Sequence, residues 1–219
     1  MLSPILHKDL RIELRSRFGV SAVVMFLLVT VTTILFSAPG EQINSGLMSA
    51  LFWISLFFGA LTGLARSFIS EEERGTSFLL RLYAEPEDVF WGKYLFNLLL
   101  VFSLVICSVI FFAFFFRDFV IRDWLMFTLQ LVLGAIGTSS IITILSALVA
   151  RASQKGALLP VLALPVMIPL VISTTDATRI TMETANSWEG LRGDILILFS
   201  FDIAVTLVSY VLFHVIWQE

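Results

Sequence analysis

An all-α fold that crosses a membrane repeatedly follows from three observations. Hydrophobic residues make up 58% of the 219-residue chain and charged ones only 14%, and the mean hydropathy is +0.95, which leaves too little charge to cover a soluble globule. The apolar residues come in long runs, which suits helices wetted by lipid all round better than helices with one buried face. Phrases such as "LFNLLLVFSLVICSVIFFAFFF" lack the two-residue alternation that a membrane β-barrel demands of strands about ten residues long.

At about 1.5 Å per residue, a helix needs about 20 apolar residues to cross a hydrocarbon core about 30 Å thick. Six stretches qualify: 18–38, 47–66, 94–116, 124–149, 157–175 and 195–217. The chain 1–219 therefore reads as a single transmembrane domain. The fourth span is long enough to tilt. The fifth carries Pro160, Pro165 and Pro169, which remove backbone donors, so it is expected to be bent or broken. Residues 1–17 precede the first span as a short amphipathic helix lying in the interface. Ser3 is its expected N-cap and Pro4 its first helical residue. Leu6, Leu10 and Leu14 recur at four-residue steps while Lys8, Arg11 and Arg15 turn elsewhere. The first run is too long for a signal-peptide core, and Pro39 makes "FSAPG" a poor cleavage site, so the segment is expected to be retained.

Orientation comes from the cations. Lys8, Arg11, Arg15, Arg17, Arg66, Arg74, Arg81, Lys93, Arg151 and Lys155 fall on one side, and Arg117, Arg122, Arg179 and Arg192 on the other. The excess places both termini and the 67–93 and 150–156 connections in the cytoplasm. Trp91, Trp124 and Trp217 lie near span ends, where interfacial anchors belong.

The 67–93 connection is the longest on that side. It contains "SEEERGTSFLLRLYAEP", with Glu71, Glu72 and Glu73 ahead of Gly75, Thr76 and Ser77, then Leu79, Leu80 and Leu82, and a stop at Pro86. This suits a helix parallel to the membrane with leucines available for burial. A plain solvated connection is the competing reading. The run from Glu71 to Thr76, the leucines, Pro86 and the Gly92-Lys93 pair resemble the cytoplasmic loop of type-2 ABC exporter permeases. That resemblance implies a coupling helix seated on a separate ATPase subunit, with the carboxylates meeting basic groups of that partner.

A second resemblance covers nearly the whole chain. Gly134 and Gly137, the "LSAL" of Leu145 to Leu148, the Arg151 to Gly156 connection and the spacing of Pro160, Pro165 and Pro169 are similar to the fourth and fifth spans of the haem exporter protein B (CcmB) family. "LARSFISEEERGT", residues 64 to 76, adds to the likeness. Phe78 departs from it, standing where many relatives carry an acidic or polar residue. The resemblance implies a permease subunit of an ABC-type complex in the bacterial inner membrane, working in haem export or haem-chaperone release for cytochrome c maturation. It further implies two copies of the chain with two ATPase subunits, a haem-handling membrane protein, a small membrane subunit and a periplasmic haem chaperone. A permease for a drug, lipid or polysaccharide, or a structural subunit that moves nothing, are the rival readings.

The chain carries no G-x-x-x-x-G-K-[ST] phosphate loop, so ATP belongs to a partner. His7 and His214 are its two histidines, and both fall on the cytoplasmic side, so no cofactor is assigned to this chain and haem is handled as a passing ligand. The single cysteine, Cys107, reads as a core or lipid-facing residue. No catalytic constellation stands out and no nucleic-acid partner is expected. Polar groups inside spans default to functional candidates. Asp202 is expected about eight residues, or roughly 12 Å, into the last span near the outer leaflet, with structural and functional roles both open. Asn97 and Gln130 are expected to hydrogen-bond between helices, and Gly134, Gly137, Ser139 and Ser140 form a small-residue strip suited to close packing.

Overall fold

The structure is a computed structural model that describes residues 2–16, 18–37, 42–64, 75, 80, 84–150 and 155–218. Seven helices are present among them: α1 (Leu2–Ser16), α2 (Phe18–Ser37), α3 (Ser45–Leu64), α4 (Pro86–Phe115), α5 (Trp124–Ala150), α6 (Lys155–Glu183) and α7 (Trp188–Gln218). Helices α2 to α7 are the six long and apolar enough to cross a membrane. The described part is entirely helical in its regular structure, as the uninterrupted apolar runs require.

The helices overrun the predicted spans at their polar ends. Helix α4 begins at Pro86 rather than at 94, with Glu87 and Asp88 in its first turn; proline at the start and acids beside the positive end of the helix both favour that extension. Helix α6 continues to Glu183 rather than to 175 because Arg179 pairs along it with Asp176 and Glu183. Helix α7 starts at Trp188 rather than at 195. The expected 176–194 connection thus contracts to 184–187, and Arg179 and Arg192 stand on helices. Helix α6 is also unbroken: Pro160, Pro165 and Pro169 all lie inside one continuous helix. In an apolar surround, continuing the helix leaves fewer backbone groups unpaired than breaking it does. At the N-terminus, α1 already includes Leu2, so Ser3 is inside the helix and is not its cap.

Helix α5 is the axis of the bundle. Of its most apolar stretch 83% is buried within the chain, against 22% for α2 and 17% for α7, and it packs on α4, α6 and α7. The alternating course runs α2, α4 and α6 one way and α3, α5 and α7 back. At the end away from α1, the three connections are tied together. Ile43 N donates to Asp118 Oδ2 at 3.1 Å, Arg122 N and Asp123 N both donate to Thr181 O, and Ser187 donates to Asp123 through N and Oγ at 3.1 and 2.7 Å. Stacked and edge-on rings of Phe52, Phe112, Phe119 and Phe127 fill the space beneath.

Candidate functional site

At the α1 end, the segment expected to couple to a partner enters α4. Glu71, Glu72, Glu73, Thr76, Leu79 and Leu82 lie outside the described residues. Gly75 has φ +66°, the left-handed region that glycine reaches without the steric cost of a Cβ, and a Cβ there would meet nothing within 4 Å. Leu80 is half-buried against the core, and its carbonyl accepts from Ala84 N at 3.0 Å, so this loop rejoins the bundle one turn before Pro86.

Two turns into α4 stands Lys93, only 1% exposed. Its ammonium lies 2.8 Å from Asp9 Oδ2 of α1. A buried ammonium needs charged or hydrogen-bonding partners in an apolar interior, and the Asp9 carboxylate is one of them. Helix α1 is therefore more than a raft on lipid. Ile5 and Asp9 are buried, Leu6 and Leu10 pack on the core, and Leu14 is 75% exposed, so the buried edge includes the acid and omits the last leucine of the expected stripe. Glu13 completes the junction by accepting from Val20 N at 3.0 Å, capping the first turn of α2. The loop exit, α1, α2 and α4 thus meet at one corner.

The interior of the bundle is a seam of polar groups around α5. Gln130 Nε2 donates to Thr178 Oγ1 at 2.9 Å, and Trp53 Nε1 donates to the same oxygen at 2.7 Å, so one hydroxyl joins α3, α5 and α6. Asn97 Nδ2 donates to Thr143 Oγ1 at 2.9 Å between α4 and α5. Gly134 lies against the Trp53 ring, where a Cβ would stand 2.9 Å from Cζ3. A Cβ on Gly137 would stand 2.6 Å from Asp202 Oδ1. Ser140 and Thr206 share a 2.8 Å hydroxyl hydrogen bond between α5 and α7, and Ser139 bonds back to its own helix at Ile136 O. The strip thus lets α3, α6 and α7 close on α5.

Asp202 is buried in the bundle. With α7 spanning 188–218, it lies near the middle of the helix, about 21 Å from its start at helical rise, and not near either end. It is 5% exposed, and neither carboxylate oxygen has a hydrogen-bond partner among the described residues.

Of the three prolines of α6, Pro165 faces a lateral groove of about 460 Å³ between α3 and α6, walled also by Ile54, Phe57, Phe58, Ile168 and Val171. Met167 is its one sulfur-bearing side chain, and the other walls are aliphatic or phenyl. Apolar, laterally open and beside a proline-bearing helix, it suits an apolar molecule, and a lone thioether is its one side chain of a kind that ligates haem iron. Among the described residues no three His, Cys, Asp or Glu side chains gather. Sequence reasoning missed Trp53, Thr178 and the Asp9–Lys93 pair. Lys93 was read as a cytoplasmic cation and Asp9 as one charge of an amphipathic helix, and nothing in either segment pointed to the other.

A bundle of six long apolar helices, an amphipathic N-terminal helix and a junction where a charged loop enters the bundle together define a polytopic membrane subunit. The chain belongs to the CcmB protein family, whose model matches residues 1–215. It is also 29% identical over 178 residues to "Heme exporter protein B" of Rhodobacter capsulatus, a similarity covering 80% of this chain and 81% of that protein.

Proposed function

We propose that the chain is the membrane permease subunit of an ABC-type complex that serves haem export in cytochrome c maturation. The observation that carries this reading is the family match across residues 1–215, together with a relative described as a heme exporter. The ATPase is a separate polypeptide, since the sequence holds no phosphate loop. Two copies of the chain pair with two ATPase subunits, beside a haem-handling membrane protein, a small membrane subunit and a periplasmic haem chaperone. The complex sits in the bacterial inner membrane with both termini in the cytoplasm, on the cation excess of that side.

Residues 70–83 act as the coupling segment. Glu71, Glu72 and Glu73 meet basic groups on the ATPase, Gly75 and Thr76 turn the chain, and Leu79, Leu80 and Leu82 seat the helix. Closure of the ATPase pair displaces this segment. The Asp9–Lys93 pair at 2.8 Å and the Glu13 cap on α2 pass the displacement to α1, α2 and α4 as one body. A rigid corner of this kind transmits a push that a solvated linker would absorb. Haem is substrate in this scheme, and the apolar lateral groove, with Met167 as its one side chain of a haem-ligating kind, suits transient contact with the ring face of the porphyrin.

Co-purification tests the reading. The tagged chain is expected to bring down an ATPase and a haem-binding membrane partner, and a cysteine at Leu80 is expected to crosslink to the ATPase with a yield that changes on adding ATP. A nucleotide-independent yield would mark a passive scaffold, and a complex without a haem-binding partner would mark a permease for another substrate.

A further inference from the structure

One buried ionisable group has no part in this scheme. The Asp202 side chain is enclosed by α5, α6 and α7: Oδ1 lies over Gly137, and Leu170 of α6 closes on the same glycine from the other side. At 5% exposure it is out of reach of a neighbouring subunit, so no cation from outside the chain neutralises it in this packing. Among the described residues no cation from inside does so either. Helix α5 has no ionisable side chain along its length. On α6, Asp176, Arg179 and Glu183 bind one another on the last turns, beyond the level of Leu170. On α7 the neighbours are Asp194, two turns earlier, and Tyr210, two turns later and hydrogen-bonded to Glu87 of α4. An ionised carboxylate without a hydrogen-bond partner among the described residues is costly in an apolar interior, whereas a neutral carboxylic acid is tolerated there.

Helices α5 and α7 pack extensively on one another, and at this level their seam is made of small and hydroxyl-bearing residues. Where Oδ1 sits, α5 offers a glycine and no interlocking side chain. One turn further, α5 and α7 are joined by the Ser140–Thr206 hydroxyls at 2.8 Å, and Ser209 Oγ reaches Ser140 O at 3.4 Å. Hydrogen bonds of this kind between membrane helices average only about 0.6 kcal/mol, and most of α7 is exposed on its other faces.

We propose that Asp202 is a proton-binding site inside the membrane domain, and that the bound proton locks α7 against α5. The closed seam takes up a proton, and an ionised Asp202 finds solvation only if the seam parts. The sign follows from linkage: the closed state binds the proton more tightly, so it is favoured at low pH and lost as pH rises. The proposal is independent of the transport reading.

The test uses the full chain in lipid nanodiscs, with Cys107→Ser removing the native thiol and Ser140→Cys with Thr206→Cys placed across the seam. Disulfide yield is expected to fall several-fold as pH rises, against the trend of thiolate chemistry, which speeds crosslinking at high pH. Asp202→Asn keeps the side-chain shape without the charge and is expected to hold the yield high throughout. In the unmodified chain, infrared difference spectra against Asp202→Asn should contain a protonated-carboxyl C=O band that shifts in D2O. A yield that stays level or rises with pH, an Asp202→Asn protein with the same pH dependence, or the lack of that band in the closed state each overturns the proposal.

Discussion

The Lys93 ammonium stands 2.8 Å from Asp9 Oδ2, with 1% and 8% of the two side chains exposed, so α1 is bolted to α4 by charges that water hardly reaches. Removing one partner of a buried ion pair costs up to about 3–5 kcal/mol. Asp9→Ala is therefore expected to lower stability by about that much, read by denaturant unfolding in mixed micelles. Adding Lys93→Met to Asp9→Leu removes both charges and is expected to recover most of the loss. A double variant as unstable as the single would show that α1 is held by something other than this pair.

The glycines of α5 give a second, graded expectation. A Cβ on Gly134 would enter the Trp53 ring, whereas one on Gly193 of α7 would meet nothing within 4 Å. Gly134→Ala should cost about 1–3 kcal/mol through overpacking. Gly193→Ala should stabilise by about 0.5–1 kcal/mol, since alanine orders the helix at lower entropic cost. Melting temperatures of the two variants, measured side by side, should move in opposite directions.

How much of this could be read from sequence differs by element. The six spans were legible because the thickness of a bilayer sets their length, whatever their neighbours. Their charged ends, 86–93, 176–183 and 188–194, were not, because hydropathy does not register a proline start or an Arg179 pair along the helix. Asn97 and Gln130 stood out as polar groups in apolar runs, but their partners Thr143 and Thr178 are set by how the helices pack. Lys93 read as a cytoplasmic cation, and its burial depends on Asp9, a residue far away in the chain. Asp202 stood out as a charge in an apolar run, but its enclosure against Gly137 depends on how α5 and α7 pack. Most of the coupling segment falls outside the described residues.

Thr178 tests the polar seam. Its hydroxyl accepts from both Trp53 and Gln130, so Thr178→Val strands two buried donors at once. Each stranded group costs about 1–3 kcal/mol in a soluble protein, while hydrogen bonds between membrane helices average nearer about 0.6 kcal/mol. The expected loss is about 1–2 kcal/mol, the lower range reflecting the membrane figure. Thr178→Ser, which keeps the oxygen, should be close to neutral. Equal losses for the two variants would assign the effect to the missing methyl and not to the hydrogen bonds.

Asp123 supplies the prediction that depends on pH outside the membrane-spanning helices. It caps α5, accepting from Met126 N at 3.2 Å, and it holds Ser187 through N and Oγ. Burial pushes its carboxyl up, but the hydrogen bonds from Ser187, Met126 and Leu125 together outweigh it and set the carboxyl below its ordinary value. A carboxyl lowered on folding contributes stability that is fully present above its unfolded value, about 3.9, and is lost as pH falls through the folded one. Acidification below about pH 4 is thus expected to loosen the joint between the 117–123 and 184–187 connections. Asp123→Asn should weaken the joint at neutral pH and flatten that part of the acid profile. Asp123→Ala should cost about 0.5–2 kcal/mol at neutral pH, the usual loss for a helix cap. Hydrogen exchange at Ser187 N and Met126 N, followed against pH, isolates the joint from the rest of the bundle. Protection that persists unchanged below the unfolded value in the parent chain would show that the carboxylate is not what ties the two connections together.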